Sequence, residues 1–208
     1  MEIRVLDNGL NDSNTWLVGD GASCAVIDCG APPADVIATA EAMGCRITHL
    51  ILTHGHVDHT CSLAALKEKT GALVCAHTAE QALLADPDAS GYTLFGYPRP
   101  EPFPETDLAL SEDKPLQVGT LRFEVIHTPG HTAGCICLRV ENHLFTGDTL
   151  FHRGVGRADL PRGDGAALVR SIRNKLYALP ASLVVHPGHG PDTTIGEERM
   201  HNPYVAIR

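Results

Sequence analysis

Four imidazole and carboxylate side chains crowd into Thr53-His54-Gly55-His56-Val57-Asp58-His59. In an extended segment alternate residues project the same way, so His54 and His56 reach one ion together. Gly55 adds no side chain between them. Asp58 and His59 follow where the chain turns into a helix, which aims them at a different centre. Such crowding favours two metal ions a few ångströms apart. A match of this kind arises by chance in roughly one sequence in several hundred, so the rest of the chain has to supply the remaining ligands.

Three later segments do. Thr128-Pro129-Gly130-His131-Thr132, Phe145-Thr146-Gly147-Asp148-Thr149 and Pro187-Gly188-His189-Gly190 repeat one design. Each is the end of a short apolar strand, a glycine turn and one metal-capable side chain. Packing alone gives a strand end no reason to carry a ligand there. The metal ligands read from the sequence are therefore His54, His56, Asp58, His59, His131, Asp148 and His189. Two divalent ions sharing a water would lower its pKa from near 16 to about 7 and so supply hydroxide at neutral pH. Zinc is the expected metal, with iron and manganese suited to the same donors. Asp28, at the end of Val26-Ile27-Asp28-Cys29-Gly30, is read either as a carboxylate orienting a liganding imidazole or as a turn cap. His49, His77, His127, His143, His152, His186 and His201 have no such setting and are assigned surface or structural roles.

The elements that position these groups come in two batches. Strands are expected over 3–6, 15–18, 24–28, 47–52 and 72–75, with helices over 34–43 and 63–69 and a short one capped by Thr78. The second batch has strands over 121–126, 134–140, 143–146 and 183–185, a helix over 165–179 and a terminal helix from Ile195. This pattern predicts an α/β (α+β) fold of two packed sheets with helices outside, in a single domain over residues 1–208. Tyr97 to Pro104 has a proline at every second position and is expected to be an extended surface connection, with a lid as the alternative.

Composition narrows the function. The formal net charge is −9 with scattered basic residues, which disfavours nucleic acid as a partner. There are seven Cys and no CxxC pair, so neither a disulfide framework nor a zinc ribbon is expected. Cys135 and Cys137 are read as buried packing. No window is apolar enough for a membrane span, and the start lacks a secretory pattern, so a cytoplasmic location is expected. Oligomeric state is not readable.

The order and spacing of His54-x-His56-x-Asp58-His59, His131, Asp148 and His189 resemble the metallo-β-lactamase superfamily. Within it the chain is similar to the glyoxalase II group of hydroxyacylglutathione hydrolases, over nearly its full length. The run from Phe145 to Pro161 and the segments Pro187–Pro191 and Thr193–Glu198 resemble the short bacterial branch without a C-terminal helical domain. The resemblance implies a four-layer αβ/βα sandwich, one metal on His54, His56 and His131, a second on Asp58, His59 and His189, and Asp148 bridging them. It also implies catalytic roles for Asp58 and Asp148, a substrate-carboxylate contact at Arg157, and a small-molecule thioester substrate such as S-lactoylglutathione. A thiol leaves as thiolate without a strong acid, which agrees with the absence of any acid motif. Persulfide dioxygenases carry the same motifs around a single iron and form the oxidoreductase alternative. A lactonase or other acyl hydrolase fits the same fold. A non-catalytic metal-binding module has no use for seven ligands.

Overall fold

The computed structural model describes residues 1–206. Two six-stranded sheets face each other. The first runs in the order β1 (Glu2–Leu6), β2 (Thr15–Gly19), β3 (Ser23–Ile27), β4 (Arg46–Ile51), β5 (Leu73–His77) and β6 (Leu108–Leu110). Its first three strands are antiparallel, and β3 through β6 are parallel. Parallel neighbours need crossovers, and helices supply them: α1 (Pro33–Ala42) lies between β3 and β4, while α2 (Val57–Thr60) and α3 (Leu63–Thr70) lie between β4 and β5. A further short helix, α4 (Gln81–Leu84), follows β5.

Eight more strands build the second half. β7 (Leu116–Val118), β8 (Leu121–His127), β9 (Ile136–Val140), β10 (His143–Gly147), β13 (Val184–Pro187) and β14 (Thr193–Thr194) form the second sheet, ordered β14-β13-β10-β9-β8-β7. β11 (Leu150–Phe151) and β12 (Gly154–Val155) make a separate small hairpin. Helix α5 (Gly165–Ser171) continues into a π-helical turn over Ile172–Leu176, and α6 (Ile195–His201) follows β14.

Burial explains the layering. Val18, Ile27, Ile51, Phe123, Leu138 and Phe145 fill the space between the sheets. On the outer face of the first sheet, Leu17, Val26 and Leu50 pack against Val36 of α1 and Leu63 and Leu66 of α3. On the outer face of the second, Leu144 and Val185 meet Leu168, Ile172 and Leu176. The central strands β2, β3 and β10 are thus buried on both sides, whereas β8 alternates with exposed Arg122 and Glu124, and each fully buried Leu, Ile or Phe contributes about 1.5–3 kcal/mol. The result is the αβ/βα sandwich.

The structure departs from the sequence reading at several elements. The helix expected to be capped by Thr78 begins as a 3-10 turn capped by His77, whose Nδ1 accepts from the Ala79 backbone at 3.2 Å. The strand expected from Gly134 starts at Ile136, because residues 128–135 form the turn that presents His131. The last strand runs to Pro187, two residues past the expected end, and carries the chain up to His189. Strands β6, β7 and β14 are two or three residues long, too short to show alternation. All seven cysteines are free thiols, and all but the half-buried Cys61 are buried. Among the described residues no helix is long and apolar enough to cross a membrane.

Candidate metal centre

Every ligand-bearing turn leaves the C-terminal end of a strand at the same edge of the two sheets, where open α/β folds gather their ligands. β4 leads to His54, His56, Asp58 and His59; β8 leads to His131; β10 to Asp148; β13 to His189. Two of these turns need glycine. Gly147 has φ +46°, and a Cβ there would lie 2.2 Å from Thr53 Oγ1. At Gly188 a Cβ would lie 2.3 Å from Asp148 Oδ1.

The seven side chains converge in two groups. His54 Nε2 and His56 Nδ1 lie 3.2 and 2.8 Å from His131 Nε2. His59 Nε2 lies 3.3 Å from His189 Nε2, whose Asp58 Oδ2 neighbour is 3.5 Å away. Asp148 stands between the groups: Oδ1 is 3.3 Å from His59 Nε2, while Oδ2 is 3.5 Å from His131 Nε2 and 3.7 Å from His189 Nε2. His54, His56, His59, His131 and Asp148 are buried; Asp58 and His189 are half-buried.

This arrangement fits two divalent cations. A tetrahedral ion with bonds of 2.0–2.1 Å wants its donors about 3.3 Å apart, and nitrogen pairs here stand at 3.2 and 3.3 Å. Asp148 Oδ1, between the two groups, is buried without a hydrogen-bond partner, although His59 is near enough for attraction. Buried polar atoms are rarely left so.

The charges divide in the same way. Burial, with His59 next in weight, holds His54 well below the ordinary histidine range. Burial and His131 push His56 down to about 3. These are neutral donors. Burial works against charge on His59, yet Asp148, Asp28 and Asp58 outweigh it and raise its pKa well above the usual value. Burial also opposes charge on Asp148, and the histidines His59, His131 and His54 still hold its carboxyl well below the usual range.

The hydrogen bonds behind the ligands decide which imidazole nitrogen faces inward. Asp28 Oδ2 takes the Nδ1 proton of His59 at 2.9 Å. The Thr53 hydroxyl donates to Asp28 Oδ2 at 2.8 Å and so accepts from His54 Nδ1 at 3.1 Å. The Arg157 carbonyl accepts from His131 Nδ1 at 2.6 Å. In His54 and His131 Nε2 is left as a lone pair aimed at the site, and in His59 the Nδ1 bond turns Nε2 toward it. Asp28 is 1% exposed and has φ +61°, an uncommon backbone conformation for a side-chain-bearing residue, and its Oδ1 also receives the Thr53 backbone N–H.

Two partners escaped the sequence reading. Thr53 was seen only as the start of the motif. Glu80, 1% exposed, clamps two ligand loops: it accepts from Gly55 N at 2.9 Å, Thr132 Oγ1 at 2.9 Å and Gly134 N at 2.7 Å. Burial raises its pKa, with those three bonds acting in opposition. Nothing in the local sequence marks it, because its contacts lie 25 to 54 residues away.

A cavity of about 600 Å³ opens over the site, lined by His56, Asp58, His131, Asp148 and His189 among others. Arg157 also lines it, but its guanidinium is exposed and bound at Nε and Nη2 by both oxygens of Asp159, each at 2.9 Å. The Pro-rich segment lies elsewhere: Arg99 to Pro104 border a different cavity with Gln81 and Leu84. The turn that overhangs the site is the preceding one, with Gly91, Leu94 and Phe95.

The sequence profile described as Metallo-beta-lactamase superfamily matches residues 8–189. The hydroxyacylglutathione hydrolase GloC of Haemophilus influenzae is 34% identical, covering 99% of this chain and 98% of that one. The crystal structure of BLEG-1 B3 metallo-beta-lactamase superimposes with a TM-score of 0.92 at 34% identity, covering 99% of this chain and 100% of the other. That of TTHA1623 in a di-iron-bound form gives 0.85 at 33% identity, covering 97% and 99%.

Proposed function

The chain belongs to the metallo-β-lactamase superfamily, and from that premise we propose that it is a two-metal hydrolase of thioesters, with glutathione thioesters such as S-lactoylglutathione as its first test substrates. The observation that carries the reading is Asp148, whose two oxygens reach both ligand groups at 3.3–3.7 Å. In this reading His54, His56 and His131 would hold one cation and Asp58, His59 and His189 the other, with Asp148 within reach of both groups. Zinc suits these donors, and iron is supported by the di-iron form of TTHA1623. Divalent cations held there supply an activated water and a Lewis acid for the scissile carbonyl.

The chain's own groups do the rest. Asp28, Thr53 and the Arg157 carbonyl hold the imidazoles in the tautomer that presents Nε2. The Asp58 carboxylate faces the cavity, and its pKa stays below the usual range because His59 and His189 outweigh the effect of burial. It is therefore ionised at neutral pH and takes the proton of the attacking water at a carboxylate oxygen. The sulfur leaves as thiolate, which needs no acid from the protein.

The test is release of free thiol from S-lactoylglutathione by protein whose metal content is measured in parallel. Two ions per chain with turnover is the expected result. Background turnover by fully loaded protein removes this substrate, and one iron per chain with oxygen uptake on glutathione persulfide replaces the hydrolase with the oxidoreductase reading.

A further inference from the structure

The cavity in front of the ligands constrains the part of the substrate that the reaction leaves undefined. Its lining also includes Leu94 and Phe95 of the overhanging turn, Phe151 and Val155 of the β11–β12 hairpin, with Phe151 edge-on to His189 at 5.9 Å between ring centroids, and Leu160 and Pro161 beyond the hairpin. Leu94 is 72% exposed and Phe95 55%. Single exposed hydrophobes are ordinary. Here two exposed side chains join the half-buried Phe151, Val155 and Leu160 and the exposed Pro161 around one cavity, and such concentrations mark binding surfaces.

Charge sharpens the point. The carboxylates of Asp58, Asp88 and Asp148 line the cavity, and Arg157 is the one Lys or Arg among its lining residues. Asp159 already engages that guanidinium through two hydrogen bonds. Beyond the ligands themselves, the lining offers a tripeptide thiol with two carboxylates no unengaged Lys or Arg side chain. A neutral hydrocarbon chain meets complementary surface.

Resting on the thioester-hydrolase reading, we infer that the preferred substrate carries an uncharged apolar arm, lodged against Leu94, Phe95, Phe151 and Val155. Water adds its oxygen to the acyl carbon, the C–S bond breaks with its electron pair going to sulfur, one water proton passes through Asp58 to solvent and the other ends on the departing thiolate. The products are a carboxylate and a thiol, one of which bears the arm.

The test uses the metal-loaded full chain and two substrate series. In one, N-acetylcysteamine thioesters lengthen from acetyl to octanoyl; in the other, acetyl thioesters are made on alkanethiols of growing length. In at least one series kcat/KM should climb about three- to fourfold per added methylene, as expected for burial of a CH₂. The longer members should overtake S-lactoylglutathione, and the series that climbs tells which side bears the arm. The double variant L94S/F95S should flatten that climb. Met200→Ser, which changes a hydrophobe 63% exposed on α6, should not. Calorimetry with the non-hydrolysable thioether S-hexyl-N-acetylcysteamine reads the same surface without turnover, and L94S/F95S should weaken its binding at least tenfold.

Flat rates in both series with S-lactoylglutathione fastest would overturn the inference. So would a chain-length effect that survives L94S/F95S, or a double variant that alters only sedimentation, which would make the patch a contact between copies of this chain. Thioether binding lost in the double variant, with no thioester hydrolysed, would sink the hydrolase reading and leave the apolar arm standing.

Discussion

Histidines meet in this molecule in two contrasting ways. At the candidate metal centre four of the ring pairs stand edge to face, with interplanar angles of 79° to 86° for His54–His131, His56–His131, His54–His56 and His59–His189, and His54–His59 is tilted at 49°. Away from it, His77 and His127 stack at 14° with centroids 4.1 Å apart, and His143 and His186 stack at 15°. The stacked pairs find ordinary partners: His186 Nδ1 bonds Asp192 at 3.0 Å and His127 Nε2 bonds the Ala133 carbonyl at 2.9 Å. Among the edge-to-face rings, lone pairs point at one another and His56 Nε2 has no partner. Stacking satisfies an imidazole as a flat, half-apolar ring; convergence makes sense only for a set of donors awaiting a cation.

The largest test of that contrast is Asp148→Asn, which removes the carboxylate shared by both groups. Turnover should fall about a thousandfold or more, and elemental analysis should find fewer than two ions per chain; a variant that keeps both breaks the comparison at its centre. Next comes Glu80→Ala. It strips three donors of their acceptor and should cost about 3 kcal/mol in urea unfolding, together with a loss of activity as the His56 and His131 loops loosen. A variant as stable and active as the parent would mean the loops hold themselves. Asp28→Asn puts an amide N–H against His59 Nδ1 and should weaken metal binding about 10- to 100-fold in chelator competition. Unchanged affinity would reduce Asp28 to a turn cap.

The stacked pairs should respond to acid and not to chelators. Burial, then His186, keeps His143 below its ordinary pKa, and burial, then His127, does the same for His77. A depressed imidazole binds protons more readily in the unfolded chain, so its contribution is complete above 6.5 and fades as pH falls below that. The Tm of metal-loaded protein should therefore drop between pH 7 and 5, and His143→Phe should flatten the drop without changing metal content.

The ligands were legible because each announces itself locally: alternation in His54-Gly55-His56, then glycine turns at strand ends. The same locality explains the long strands and helices. What stayed hidden depends on distance along the chain. Glu80 looks like any surface carboxylate until Gly55 and Gly134 fold onto it. Asp159 beside Arg157 is visible in the sequence, yet only coordinates show both oxygens closing on the guanidinium. The Tyr97–Pro104 run drew attention by composition, whereas the segment overhanging the site carries only the unremarkable Leu94 and Phe95. β6 and β7 exist through pairing with β5 and β8 rather than through any pattern of their own.

The His189 turn is fastened by residues from near the other terminus. Asn14 Nδ2 donates to the carbonyls of Pro187 and Gly190 at 3.0 and 2.9 Å, and Trp16 Nε1 donates to Pro187 at 3.0 Å. Those bonds join residues more than 170 positions apart. A chain growing on the ribosome can gather His54, His56 and His131 long before His189 has been synthesised. The second triad must wait for that last loop to be clasped by a segment made far earlier, so it is completed only late in biosynthesis.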